Sequence, residues 1–221
     1  MYYISNIDTY LRLKNKLDPL IREILNEEKI SFQDVQSRIK NLRSFKEKIS
    51  KRNYTNPKQV KDLLGFRIVC YVVKDVNRIE NIFYDNFSIK DREDKSKKLG
   101  TNIVGYRSLH LTASLSPQRC QLPEYSKYKS CEFEIQVVTI LQHAWAEIEH
   151  DKVYKFKSNY PDEIKRRLTI LSGTLEVCDN EFERITEEIK KYTNDIEAQI
   201  YNESFEIPIN LESQNIYDDQ I

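Results

Sequence analysis

The chain has 221 residues, of which 39% are hydrophobic and 32% charged, with 35 basic and 35 acidic side chains. This composition supports a folded core and excludes wholesale disorder. No segment is apolar enough for a membrane span or signal peptide, so we expect a cytoplasmic protein with no membrane partner. Four cysteines without a CxxC spacing and three histidines indicate neither a zinc site nor a disulfide framework.

The zero net charge hides an uneven distribution along the chain. Residues 31–61 hold nine Lys and Arg against two acidic residues, whereas thirteen acidic residues face three basic ones from Gly173 onward. The basic segment indicates either an anionic ligand or a solvated helix face. Gly100 and Gly105 have the spacing of a phosphate-binding loop, but Tyr106 occupies the lysine position. Any bound phosphate must therefore meet cationic side chains or a metal ion.

The hydrophobic periodicity predicts alternating helices and strands in the first two thirds of the chain. In chain order we expect a helix over 6–28, an extended or mixed segment over 30–39, a basic helix over 41–52, a strand over 66–73, a helix over 74–84, a strand over 87–91, a charged loop over 92–102, strands over 105–114 and 130–139, and a helix over 140–151. This order predicts an α+β domain, a mixed β-sheet flanked by helices.

A regular apolar repeat follows this domain. From Ile164 to Ile196 the apolar residues recur at alternating spacings of four and three, which is a heptad seam. Such a helix either packs along the domain, which we favour because Gly173 weakens an isolated coil, or pairs with a second copy as a homo-oligomer. We expect an N-terminal helix over 1–29, the α+β domain over 30–157, a C-terminal helical extension over 158–201 and an acidic tail over 202–221.

Two acidic residues far apart in sequence suggest a metal site. Glu134 and Gln136 are two apart on a predicted strand, so both side chains leave the same face. Asp62 lies just before another predicted strand, where it can meet a carboxylate on a neighbouring strand. Facing carboxylates repel unless a cation lies between them, and Mg²⁺ takes such ligands together with substrate phosphates. The alternative for an isolated strand carboxylate is a place on the solvent face.

The basic segment contains an ordered row. Lys40, Ser44 and Lys48 are four apart and would form one stripe on a helix, preceded by Arg38. Such a row can bind a triphosphate, and a guanidinium can stack on a purine. Tyr106 can stack on a second base; the alternative is that it is a half-buried structural residue, one of the fourteen tyrosines in the chain.

Several separated motifs, in this order, resemble RelA/SpoT-type alarmone synthetase domains over roughly residues 35–155. They are Arg38-x-Lys40-x3-Ser44-x3-Lys48, Asp62-Leu-Leu-Gly-Phe-Arg67, Gly105-Tyr-Arg-Ser-Leu-His110, Glu134-Ile-Gln136 and Trp145-Ala-Glu-Ile-Glu-His150. The resemblance implies a nucleotidyltransferase-like fold in a small, single-domain synthetase that moves the β,γ-pyrophosphate of ATP to the 3′-OH of GDP or GTP.

The resemblance also implies a role for each matching residue. Arg38 would lie against the adenine of ATP, and its phosphates would be bound by Lys40, Ser44 and Lys48, with Arg67 nearby. Asp62 and Glu134 would bind Mg²⁺, and Glu134 would also help to deprotonate the 3′-OH. Tyr106 would stack on guanine, and His110 and Gln136 would contact the acceptor nucleotide. With no glycine cradle, catalysis would consist of positioning and charge neutralisation.

Two departures from the family pattern leave the acceptor open. Val138 stands where the family usually has Arg or Lys, and the loop over 90–102 lacks the family's usual Lys-Asp-Tyr and Pro-Lys-x-Asn-Gly motifs. Toxin-like relatives that modify tRNA ends or adenosine nucleotides, and a non-catalytic nucleotide-sensing module, remain as alternatives. We expect His143 to pack or to lie at the surface.

Overall fold

The computed structural model describes residues 2–94, 108–149 and 161–201. Its helices are α1 (Tyr2–Glu27), α2 (Leu42–Lys51), α3 (Val73–Asn86), α4 (Ile140–Ile148) and α5 (Asp162–Tyr201). Its strands are β1 (Phe32–Ile39), β2 (Leu64–Cys70), β3 (Phe87–Asp94), β4 (Leu109–Leu115) and β5 (Glu132–Thr139). The predicted α+β class is confirmed.

The five strands form one mixed sheet in the order β1-β2-β5-β4-β3. The central β2 and β5 are parallel, and the other neighbouring pairs are antiparallel. Because β2 and β5 run in the same direction, residues near their starts lie at the same edge of the sheet.

One face of the sheet carries the hydrophobic core. Alternate residues of β2 and β5, such as Phe66 and Phe133, are buried, and their rings meet edge to face with centroids 5.9 Å apart. Helix α1 adds a fully buried stripe at helical spacing that includes Leu13, Leu17 and Ile21. Because this face is covered, the alternating polar residues of the same strands leave the opposite face.

Side-chain caps fix where two helices begin. Asn41 accepts a hydrogen bond from the backbone N–H of Ser44 and starts α2. Thr139, the last residue of β5, accepts from the N–H of Gln142, whose side chain returns the contact in a capping box. Strand β5 therefore turns directly into α4, which places α4 beside the end of the central strands.

Some local predictions differ from the structure. Helix α1 already begins at Tyr2, and the Asn6 side chain donates to the Tyr2 carbonyl within the helix instead of capping its start. The segment expected to be extended or mixed contains strand β1, whose register with β2 shifts between Phe32 and Asp34. The predicted charged loop begins later because β3 continues to Asp94, paired with β4. Residues 105–107 of a predicted strand lie outside the described residues.

The chain divides into two compact units, residues 1–177 and 178–221. In the second unit the seam residues Phe182, Ile185, Ile189 and Tyr192 of α5 are exposed. Among the described helices, none has an apolar stretch of the length needed to cross a bilayer.

Candidate active site

Asp62 and Glu134 line the same cavity, which has a volume of about 280 Å³ and lies on the polar face of the sheet. The residues that line it are Gln36, Ser37, Arg38, Asp62, Gly65, Phe66, Arg67, Glu134, Gln136 and Glu147. The sequence therefore predicted correctly that these two carboxylates meet in one cleft, and Arg38, Arg67 and Gln136 join them there.

The sheet register explains this convergence. Gly65 of β2 is the partner of Arg38 on β1 and of Glu134 on β5, so the three residues form one row across three strands. Asp62 comes three residues before Gly65, at the start of β2. At the glycine in the middle of the row an added Cβ would lie 3.9 Å from Cγ of Arg38, an ordinary van der Waals contact.

Asp62 is held by two lysines and keeps one oxygen without a partner. Its Oδ2 lies 2.8 Å from Nζ of Lys48 and 3.1 Å from Nζ of Lys40. Its Oδ1 is buried and has no hydrogen-bond partner among the described residues. A buried carboxylate oxygen in this condition is unfavourable unless a ligand or cation completes it.

Glu134 accepts hydrogen bonds at both oxygens. Nδ1 of His110 lies 3.1 Å from Oε1, and Nε2 of Gln136 lies 2.9 Å from Oε2. Oγ of Ser108 lies 2.6 Å from Nε2 of His110, so a neutral imidazole can donate from Nδ1 and accept from the hydroxyl. Burial of Glu134 opposes its ionisation, but the hydrogen bonds and charges, led by His110, lower its pKa to about 2.

The side chain of Arg67, a residue of β2, contacts residues of both β5 and α4. Its Nε is 3.3 Å from Oε1 of Gln136, and its Nη1 is 3.2 Å from Nδ1 of His143 and 2.6 Å from Oε1 of Glu147. The sequence analysis did not predict that His143 contacts Arg67, and it did not identify Glu147 as a site residue. The i, i+4 spacing of His143 and Glu147, at the motif that starts at Trp145, could have indicated that both side chains share one helix face.

The predicted helical stripe of cations is wrong in part. Lys40 precedes α2 and its backbone N–H donates to the Leu63 carbonyl, so it is not on the helix that carries Ser44 and Lys48. Lys40 and Lys48 nevertheless meet at Asp62. Ser44 lies in the first turn of α2 and is not among the residues that line the cavity.

Two further positions bear on the acceptor. Tyr106 lies outside the described residues. Val138 is only 3% exposed on β5, so the position where the family usually has a cation is part of the packed interior.

The donor atoms present fit a hard divalent cation. Asp62 and Glu134 line one cavity, and Asp62 has a buried oxygen with no hydrogen-bond partner in the described part of the chain. The described residues contain no cluster of three or more His, Cys, Asp or Glu that could enclose a metal. Such an ion would therefore need oxygen ligands from a substrate or water, as Mg²⁺ normally has.

A mixed sheet with carboxylates and paired lysines around an open cleft is typical of enzymes that act on phosphorylated substrates. The model of the family described as "Region found in RelA / SpoT proteins" matches residues 37–159. The chain belongs to this RelA/SpoT family.

Known relatives agree with this assignment. The chain is 30% identical over 161 residues to the GTP pyrophosphokinase YjbM of Bacillus subtilis (strain 168), covering 71% of this chain and 73% of that protein. It is similar to the crystal structure of the small alarmone synthetase 1 from Bacillus subtilis bound to its product pppGpp, with a TM-score of 0.68 and 27% identity over 86% of this chain and 96% of that one. The same synthetase bound to AMPCPP gives a TM-score of 0.63 and 26% identity, again over 86% and 96% of the two chains.

Proposed function

We propose that this protein is an ATP:GDP/GTP 3′-pyrophosphotransferase that makes (p)ppGpp-type alarmones. The family assignment, the named activity of YjbM and the pppGpp and AMPCPP complexes of a similar structure support this function. The observation that carries it is the meeting of Asp62 and Glu134 in one cavity, with Lys40 and Lys48 on the Asp62 carboxylate. Since all four cysteines are free thiols, a reducing cytoplasmic location is consistent with the proposal.

On the donor side, ATP would bind along the cations beside Asp62. Arg38 is exposed on β1 at the cavity and is available to stack on adenine. Lys40 and Lys48 neutralise Asp62 without ligand, and their ammonium groups can transfer to phosphate oxygens when ATP arrives. Ser44 and Arg67 complete the proposed ATP contacts.

Asp62 and Glu134 would hold the Mg²⁺ ion. When bound, Mg²⁺ neutralises charge on the transferred phosphates. Oδ1 of Asp62, which accepts no hydrogen bond from any described residue, supports this role, because a cation would complete a buried oxygen. The ammonium groups of Lys40 and Lys48 would then turn from the carboxylate toward the phosphates, where their positive charges offset the phosphate charge.

On the acceptor side, Glu134 would accept a hydrogen bond from the 3′-OH. A carboxylate with a pKa near 2 is ionised at neutral pH, but it is a weak base. We therefore assign it mainly to orienting the hydroxyl and binding the metal; its carboxylate would take the proton as the 3′-oxygen bonds to the β-phosphorus and AMP leaves. Tyr106 is proposed to stack on guanine, while His110 and Gln136 shape the carboxylate that meets the acceptor.

We further propose that the protein forms a homo-oligomer through α5. Six apolar seam residues are exposed on this helix, Ile164, Leu171, Phe182, Ile185, Ile189 and Tyr192, and a second copy would supply the complementary apolar surface.

The function is tested by incubating the full chain with Mg²⁺, γ-labelled ATP and one acceptor at a time: GDP, GTP, AMP or deacylated tRNA. Label should move to GDP or GTP, and Glu134→Gln should abolish transfer while AMPCPP binding persists. Transfer to AMP or tRNA alone would replace the proposed acceptor with that of a toxin-like relative. Nucleotide binding without transfer to any acceptor would indicate a sensing module.

A further inference from the structure

Glu147 makes the shortest of the three polar contacts to Arg67. Glu147 and His143 are one turn apart on α4, so both side chains leave the helix on the same face. There they meet Nη1 of Arg67 at 2.6 Å and 3.2 Å. The carboxylate lies at the cavity wall and leaves most of its own surface to solvent, with 62% of its side chain exposed.

These contacts determine which part of the Arg67 guanidinium is available to a ligand. Nε and Nη1 are engaged by acceptors on β5 and α4. Nη2 makes no hydrogen bond to any residue that the structure describes. Because the guanidinium is planar, holding two of its nitrogens fixes the direction of the third. Arg67 lines the cavity, so Nη2 is the nitrogen left for an anionic ligand there.

The same contacts reach Glu134 through Gln136. Nε of Arg67 donates to Oε1 of Gln136, which directs the amide nitrogen of Gln136 to Oε2 of Glu134. An amide with its oxygen and nitrogen exchanged would set two donors against each other at Arg67 and two acceptors against each other at Glu134. The position of Arg67 therefore fixes the orientation of the group that holds Glu134.

We infer that Glu147 is a positioning residue for pyrophosphate transfer, holding Arg67 so that Nη2 faces the phosphates and Gln136 keeps its amide nitrogen on Glu134. The inference rests on the proposed function. Glu147 does not touch the reacting groups; its effect passes through Arg67.

The test compares single and double variants in the labelled-ATP assay. Glu147→Ala should lower kcat on the order of tenfold or more, since small misplacements of a binding group are costly in catalysis. Glu147→Gln keeps an acceptor oxygen for Nη1 and should recover most of that loss. Glu149→Ala removes an exposed carboxylate from the end of the same helix and should leave kcat unchanged. In an Arg67→Ala background, Glu147→Ala should cause no further loss.

Three outcomes would overturn the inference: an unchanged kcat in Glu147→Ala, a loss that adds fully to that of Arg67→Ala, or tighter AMPCPP binding with an undiminished kcat. The last would make Glu147 a competitor of the phosphates for Arg67. If the wild-type chain transfers label to no acceptor, the proposed function fails instead. The ¹⁵N NMR signal of the Arg67 Nε–H then decides the positioning role, because Glu147→Ala should shift and broaden it and Glu149→Ala should not.

Discussion

Nζ of Lys48 lies 2.8 Å from Oδ2 of Asp62. This ion pair links α2 to the segment just before β2. The same oxygen lies 3.1 Å from Nζ of Lys40, so cations from two parts of the chain neutralise one carboxylate. This arrangement holds together the two lysines that we propose as phosphate ligands.

We predict that Lys48→Ala weakens ATP binding roughly tenfold, because a hydrogen bond to a charged group contributes about 1.5–3 kcal/mol. The affinity for AMPCPP in the presence of Mg²⁺, measured by calorimetry, checks this. Lys46→Ala removes an exposed cation from the same helix and serves as the matched control. Equal affinity in both variants would remove Lys48 from the ATP site.

The lowered pKa of Glu134 predicts a pH dependence of stability. A carboxyl group whose pKa falls from an unfolded value of 4.5 to about 2 stabilises the fold above pH 4.5. That contribution, about 3 kcal/mol at most, disappears as the pH falls from 4.5 toward 2. Urea unfolding across this window should therefore show a flatter pH dependence for Glu134→Gln than for the wild type.

Glu23→Gln on the exposed side of α1 removes the same charge and serves as the control for the pH series. Its unfolding free energy should follow the wild-type curve. A Glu134→Gln curve that also matches the wild type would show that the contacts of Glu134 with His110 and Gln136 do not favour the ionised carboxylate.

The elements and the central pair of carboxylates could be predicted from the sequence, because hydrophobic periodicity and strand alternation are local signals. Asp62 and Glu134 meet as expected. The contact of Glu147 with Arg67 joins residues 80 apart. Local pattern predicts the change from β5 to α4, but it does not predict that β5 pairs with β2, which brings α4 to Arg67.

Other predictions failed because tertiary contacts override local spacing. The spacing of Lys40 from Ser44 suits a helix, yet its N–H pairs with the Leu63 carbonyl and Asn41 caps the helix after it. The α5 heptads identified a long helix correctly, but heptad spacing alone does not say which surface covers its seam.

The buried stripe of α1 should dominate the stability of the first unit. Leu17 is fully buried, so we expect Leu17→Ala to lower the free energy of unfolding by about 2–5 kcal/mol. Leu11 on the same helix is 43% exposed, and Leu11→Ala should change it by about 0.5 kcal/mol or less. Urea denaturation measures both, and similar losses in the two variants would contradict the assigned orientation of α1.

The exposed seam of α5 predicts self-association. Ile185→Glu places a charge in the centre of that seam and should shift the protein toward the monomer mass in sedimentation velocity. Glu181→Gln changes an exposed polar position of the same helix and should keep the wild-type mass. A wild-type chain that sediments as a monomer at tens of micromolar would contradict the proposed oligomer.

The most direct measurement is a crystal structure with Mn²⁺ and AMPCPP, in which anomalous scattering locates the ion. We predict one Mn²⁺ with an oxygen of Asp62 and an oxygen of Glu134 each at about 2.0–2.3 Å, and with Lys40 and Lys48 on the phosphates. An ion that contacts only one of the two carboxylates, or a nucleotide whose phosphates lie away from both lysines, would contradict it.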